Sequence, residues 1–163
     1  MIDYNIEKCQ ETTNEKKFGI CDDIDNNDPA YLNFSDLENW NAEIINSEQV
    51  EILFTAIDNC INIIRDDGNM EKRCDCMLSY PNNIVFIELK KVRTKGWIPN
   101  GIEQLRTCIQ VFKENNDINL FRKRRAVLAN SKKPYFHFKQ QETMQRFFNE
   151  TKVRLIIGYS IKI

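Results

Sequence analysis

The chain has 163 residues, 42% of them hydrophobic and only nine of them glycine or proline (five and four), which fits one packed domain and excludes a linker or a disordered tract. Its formal net charge of −1 conceals an asymmetry: residues 1–87 carry 18 acids against 6 bases, while residues 88–133 carry 12 bases against 4 acids. No apolar run approaches the roughly 20 residues that cross a bilayer, and the start lacks a basic region followed by an apolar one, so a cytoplasmic protein with no membrane partner is expected.

Residues 1–46 are polar and acidic and are expected to form an N-terminal extension packed on a core of residues 47–163, within a single domain overall. A short strand is predicted around Phe18–Cys21, and Trp40–Asn46 fits either a strand or the lead into a helix. The acidic run Cys21–Pro29 lacks the glycine and terminal glutamate of a calcium loop. Residues 47–64 place Val50, Leu53, Phe54, Ile57, Ile61 and Ile64 at three-and-four spacing and predict a helix, with Glu51, Thr55, Asp58 and Asn62 on its opposite side.

Residues 72–79 predict a strand whose one face carries Arg73, Asp75, Met77 and Ser79. Tyr80-Pro81-Asn82-Asn83 is turn chemistry, and residues 84–92 form a second strand, apolar on both faces until Glu88 and therefore central. Thr94–Gly101 predicts a loop, followed by a helix from about Ile102 to Glu114. Arg122-Lys123-Arg124-Arg125 precedes a short strand at Ala126–Ala129. Residues 139–149 predict a helix burying Met144, Phe147 and Phe148, and residues 152–163 a last strand. The six cysteines show no CxxC spacing. Free, mostly buried thiols are expected, with a zinc set of Cys9, Cys21, Cys74 and Cys76 as the rival. The single histidine, His137, lies in an aromatic run and reads as packed.

The chemistry-bearing segment is Cys74–Lys90. A hairpin there would set Asp75 beside Glu88 and Lys90, provided the register puts all three on one face. Two carboxylates and the main-chain carbonyl of Leu89 are a donor set for a hard divalent cation, Mg²⁺ or Mn²⁺. Such a cation offsets the charge that develops in phosphodiester hydrolysis and acidifies a bound water. Lys90 would position or activate that water. The basic run Arg122–Arg125, with Lys132 and Lys133, offers a phosphate-contacting strip beside this site, and Lys95 and Trp97 could contact a phosphate and stack on a base.

Asp75 followed by Glu88-Leu89-Lys90, on a strand–turn–strand–helix array, resembles the PD-(D/E)xK nuclease superfamily. There the core runs helix, antiparallel strands, helix, strand, with the aspartate on the second core strand and Glu-x-Lys on the third. The resemblance covers roughly residues 47–130. It implies an α/β fold with a mixed central sheet flanked by helices, of the restriction-endonuclease-like type, and metal-dependent cleavage of DNA more often than RNA. It also implies that Glu51, or Glu48, supplies an extra acid from the preceding helix and that Gln104 supports the site from the following one. The chain departs from the family where Cys74 replaces the motif's proline and where Cys108 replaces a tyrosine found in one branch. The strand expected before Asp75 is not obvious, and residues 40–45, in altered order, are the candidate for it. A homodimer would allow a single-site nuclease to cut both strands. The rival reading is a catalytically inactive, immunity-type interaction module of the same fold.

Overall fold

The computed structural model describes residues 2–23, 26–65, 67–132 and 141–163. It contains ten strands and two α-helices among those residues: β1 (Gln10–Thr13), β2 (Lys17–Cys21), β3 (Tyr31–Asn33), β4 (Ala42–Ile45), β5 (Ile52–Ala56), β6 (Cys76–Tyr80), β7 (Asn83–Lys90), α1 (Trp97–Asn115), β8 (Lys123–Asn130), α2 (Gln141–Thr151), β9 (Arg154–Ile157) and β10 (Ser160–Lys162). The strands form two mixed sheets, one of six strands in the order β1-β5-β6-β7-β8-β9 and one of four in the order β10-β4-β2-β3. In the larger sheet β5, β6 and β7 run antiparallel as a meander, and β8 and β9 lie parallel to β7. Each parallel connection needs a crossover, and α1 and α2 provide them.

The molecule is therefore mixed α/β, in three layers. Ile84 and Phe86 of β7 pack with Leu105, Ile109 and Phe112 of α1 and Phe147 of α2, so both helices cover one face of the six-stranded sheet. On the other face Val85, Ile87, Cys76 and Leu78 pack against Phe18, Ile20, Ala42 and Ile44 of the smaller sheet. Helices flank the central sheet on one side only; the expected second helical layer is a sheet. Gly101 lets α1 approach closely, because a Cβ there would stand 2.4 Å from Cδ1 of Leu128 in β8.

The helix predicted over 47–64 is absent. Its centre is β5, buried between β1 and β6, with Ile52, Phe54 and Ala56 facing the smaller sheet. A strand covered on both faces is apolar at nearly every position, and such a run can be read at helical spacing as readily as at strand spacing. β5 is the strand that precedes and pairs with β6, whereas residues 42–45 belong to the other sheet. The boundary expected at residue 46 does not separate the sheets: β1 joins the larger one and the C-terminal β10 completes the smaller one. The predicted strand over 152–163 is two strands, broken at Gly158-Tyr159 and shared between the sheets.

Three further expectations are corrected. α1 begins at Trp97 rather than at 102, and Pro99 falls in its first turn, where no backbone N–H is required. Phe148 is exposed, while Phe147 is buried. Cys9 is disulfide-bonded to Cys60, so the thiols are not all free. The remaining four are buried; Cys74 lies in the core under α1 and Cys76 in the core between the sheets, so the zinc set does not assemble. His137 and Lys133 lie outside the described residues. No helix among the described residues is long and apolar enough to cross a membrane.

Candidate metal centre

The register of the β6–β7 hairpin decides whether the three chemistry-bearing side chains meet. Cys76 pairs with Ile87, Met77 with Phe86 and Leu78 with Val85. Continuing that register by one residue sets Asp75 opposite Glu88. Met77 and Phe86, the pair before Glu88 on its face, belong to the core beneath α1, so Glu88 and Lys90 lie on the helical face of the sheet, while Asp75, at the bend just before β6, turns its carboxylate onto the Leu89 backbone. Both carboxylates are buried, Asp75 being 7% exposed and Glu88 1%.

Each has one defined partner. Asp75 Oδ2 accepts a hydrogen bond from the Leu89 backbone N–H at 2.5 Å. Glu88 Oε1 is 2.7 Å from Lys90 Nζ, which also donates to Gln104 Oε1 at 2.7 Å. Gln104 reaches the site because α1 lies over β7. The main chain of Asp75 is fixed as well, since its carbonyl accepts from the N–H groups of Ile57 and Asp58 at the end of β5. Arg73, a possible partner for Asp75, instead pairs with Asp58 at 2.6 Å and with the Ile61 carbonyl.

The electrostatics mark the pair as unsatisfied. Glu88 Oε2 is buried and has no hydrogen-bond partner among the described residues. Burial pushes the Glu88 carboxyl up from 4.5 to about 7, against the opposing pull of the Lys90 ammonium. Asp75 is pushed well above its ordinary range, first by burial and then by the negative charge of Glu88. A carboxyl raised by its neighbour's charge, beside a buried carboxylate with an unpartnered oxygen, forms an environment that a cation would relieve.

In kind, two carboxylates and a main-chain carbonyl are oxygen donors of the sort a magnesium-like ion takes while keeping water ligands. Among the described residues no group of three or more His, Cys, Asp or Glu side chains is placed to hold a metal ion, so a closed all-protein cage is not what these residues build.

Two acids near this site went unread in the sequence. Asp22, just after β2, is half-buried and raised, first by burial and then by the charges of Asp58 and Asp23, while Lys90 pulls it down. Asp58 follows β5, with its backbone N–H on the Asp75 carbonyl. Asp22 sat in the acidic run dismissed as a calcium loop, and Asp58 on the polar face of a helix that does not form. The charge density of residues 22–28 was the available signal for the first.

Other candidates fall elsewhere. Glu51 and Glu48 are exposed ahead of β5, at the end of that strand which pairs towards Ser79, whereas Asp75 adjoins its other end. Neither joins the site, and no α-helix precedes β5 among the described residues. Trp97 is buried in the core around α1, which removes it as a stacking platform. The basic run stands at the wrong end of the sheet. Lys123 pairs with Asn83 and Leu128 with Glu88, which separates Lys123 from the carboxylates by five residues of strand, about 16 Å. Arg124 is tied to the Phe121 carbonyl, and Arg125 to the Lys162 carbonyl and Tyr80 hydroxyl. Arg122 is exposed at that same distant end. The bases that do adjoin Lys90 are the exposed Lys91, Arg93 and Lys95, in the loop leading to α1.

No protein-family model, no curated protein and no solved structure matches this chain.

Proposed function

We propose that the protein is a divalent-metal-dependent nuclease that hydrolyses phosphodiester bonds of DNA, with a restriction-endonuclease-like core. What supports this reading is the Glu88–Lys90–Gln104 cluster at the end of β7, with the buried Asp75 carboxylate on the neighbouring Leu89 N–H and raised by the charge of Glu88. The meander β5–β6–β7, followed by α1 and β8, supplies the antiparallel strands, helix and strand that the PD-(D/E)xK resemblance calls for, with the acid entering the second of those strands and Glu-x-Lys ending the third.

Asp75, Glu88 and the Leu89 carbonyl would hold Mg²⁺ or Mn²⁺, which when bound supplies charge neutralisation at the phosphate and an acidified water. Lys90 has three N–H donors and spends two on Glu88 and Gln104. The third is available to orient an attacking water or to contact a phosphate oxygen. Gln104 fixes the ammonium in place, a positioning role. Arg93 and Lys95, exposed in the loop after β7, give the backbone of a nucleic acid a cationic approach next to the carboxylates.

One observation favours the alternative of an inactive module of the same fold: Leu89 N–H already occupies Asp75 and Lys90 already occupies Glu88, so the cluster is partly self-satisfied. Calorimetry with Mg²⁺ and Mn²⁺ on wild type and Glu88→Ala separates the two. The nuclease reading expects binding that the substitution abolishes; equal heats from both proteins would favour the inactive module. The cytoplasm is the setting we infer for such an enzyme. The Cys9–Cys60 bond, which a reducing cytosol opposes, makes a thiol count on freshly isolated protein a direct test of that setting.

A further inference from the structure

Behind the strand end that carries Lys90 lies a separate cavity of about 360 Å³. It is assembled from three parts of the chain: Trp40 with the turn before it, Glu43 and Ser160 of the smaller sheet, and Lys91, Ser131 and Lys132 of the loops that follow β7 and β8. Side chains alternate along an extended chain, so Lys90 turns toward the carboxylates and Lys91 toward this cavity. The backbone holds that arrangement: Ser131 N–H donates to the Lys90 carbonyl at 3.0 Å, and buried Asn130 clamps residue 92 by accepting from its N–H and donating to its carbonyl.

The polar groups in the cavity are unequally committed. Glu43 is held by Lys17 at 2.6 Å and by the Ser160 hydroxyl at 2.5 Å, and its carboxyl is kept below the usual range by those hydrogen bonds. Lys91 and Lys132 are both exposed, and neither ammonium has an ionic or hydrogen-bonding partner among the described residues. The Ser131 hydroxyl has none there either. Two free ammonium groups around a concavity are a binding set for a compact dianion, with the buried Ser131 hydroxyl behind them. The remaining acid, exposed Glu38, can accept from a sugar hydroxyl or a base amino group.

We propose that this cavity is a subsite for the terminal phosphomonoester of a nucleic-acid strand, held by Lys91 and Lys132 with Ser131, so that a strand end is anchored beside the Asp75–Glu88–Lys90 centre. A volume of this order suits one nucleotide, and a phosphomonoester carries more charge than the diesters within a strand. The identity of the ligand as nucleic acid rests on the proposed nuclease function; the anion subsite rests on the cavity alone.

The test is fluorescence anisotropy in EDTA, which removes metal-dependent chemistry from the readout. Three versions of one single-stranded DNA oligonucleotide are titrated: 5′-phosphorylated, 3′-phosphorylated and unphosphorylated. Wild type is expected to bind one of the phosphorylated ends about tenfold more tightly than the unphosphorylated strand. The Lys91→Ala/Lys132→Ala double variant is expected to lose that preference, and Glu88→Ala to keep it. Inorganic phosphate should compete for the preferred end in wild type only. Equal binding of all three oligonucleotides by wild type, or a preference that survives in the double variant, would overturn the subsite. Failure of the metal-binding experiment with an intact end preference would remove the nuclease and leave the subsite standing.

Discussion

Replacing Glu88 by glutamine keeps the shape of a side chain that is 1% exposed and removes its charge. The folded-state value of about 7 stands above the ordinary 4.5, chiefly because burial penalises the carboxylate. A group raised on folding supports the native state below its unfolded value and loses that support as pH rises through the folded one. Ionising Glu88 should therefore lower wild-type stability between about pH 4.5 and pH 7.5. A difference of about 2.5 pH units at about 1.4 kcal/mol each amounts to about 3 kcal/mol. Glu88→Gln lacks this titration. Urea unfolding in EDTA across pH 4 to 8.5, at constant ionic strength, measures the difference between the two proteins. That difference should move in the variant's favour by about 3 kcal/mol over the window and then level off, with unchanged denaturant slopes. Curves that stay parallel at every pH would refute the assignment of a buried, poorly compensated carboxylate at position 88.

The same group makes metal affinity depend on pH: Mg²⁺ must displace a proton from Glu88 below about pH 7, so calorimetry should show affinity falling and proton release appearing as pH drops from 8 to 6. Lys90→Ala removes the main group that pulls Glu88 down, and the midpoint of the pH-dependent stability loss should shift upward. Gly101→Val forces side-chain atoms into Leu128 and should cost about 2 kcal/mol in urea unfolding, while weakening the alignment of Gln104 on the same helix. Cys60→Ser opens a link between residues 51 apart in sequence and should lower stability by about 2 to 4 kcal/mol under oxidising conditions, with no effect in excess reductant.

The hairpin was legible in the sequence because it depends on local features. Tyr80–Asn83 sets a tight turn, and alternation along β7 then puts Glu88 and Lys90 on one face, with Asp75 just beyond the start of β6. Gln104 was legible only through the family resemblance, and the 2.7 Å contact with Lys90 depends on how closely α1 packs over β7 and β8. β5 was misread because burial on both faces erases the period that distinguishes a strand from a helix, and Glu51 was lost as a site residue with it. The basic run was misplaced for a different reason. Its position in the sequence says nothing about which end of a parallel strand it occupies; the parallel pairing of β7 and β8 puts Lys123 beside Asn83 rather than beside Glu88. The contributions of Asp22 and Asp58 arise from the smaller sheet and from the end of β5, contacts that no local pattern carries.

The central claim is that Asp75 and Glu88 hold a cation where Lys90 can serve a phosphodiester. Incubation of plasmid and single-stranded DNA with the protein and Mn²⁺, comparing wild type with Lys90→Ala at equal folded concentration, tests it most directly. The account predicts cleavage by wild type that EDTA stops and that the substitution reduces by about two orders of magnitude or more. No cleavage by metal-loaded wild type, or equal cleavage by the two proteins, would contradict it.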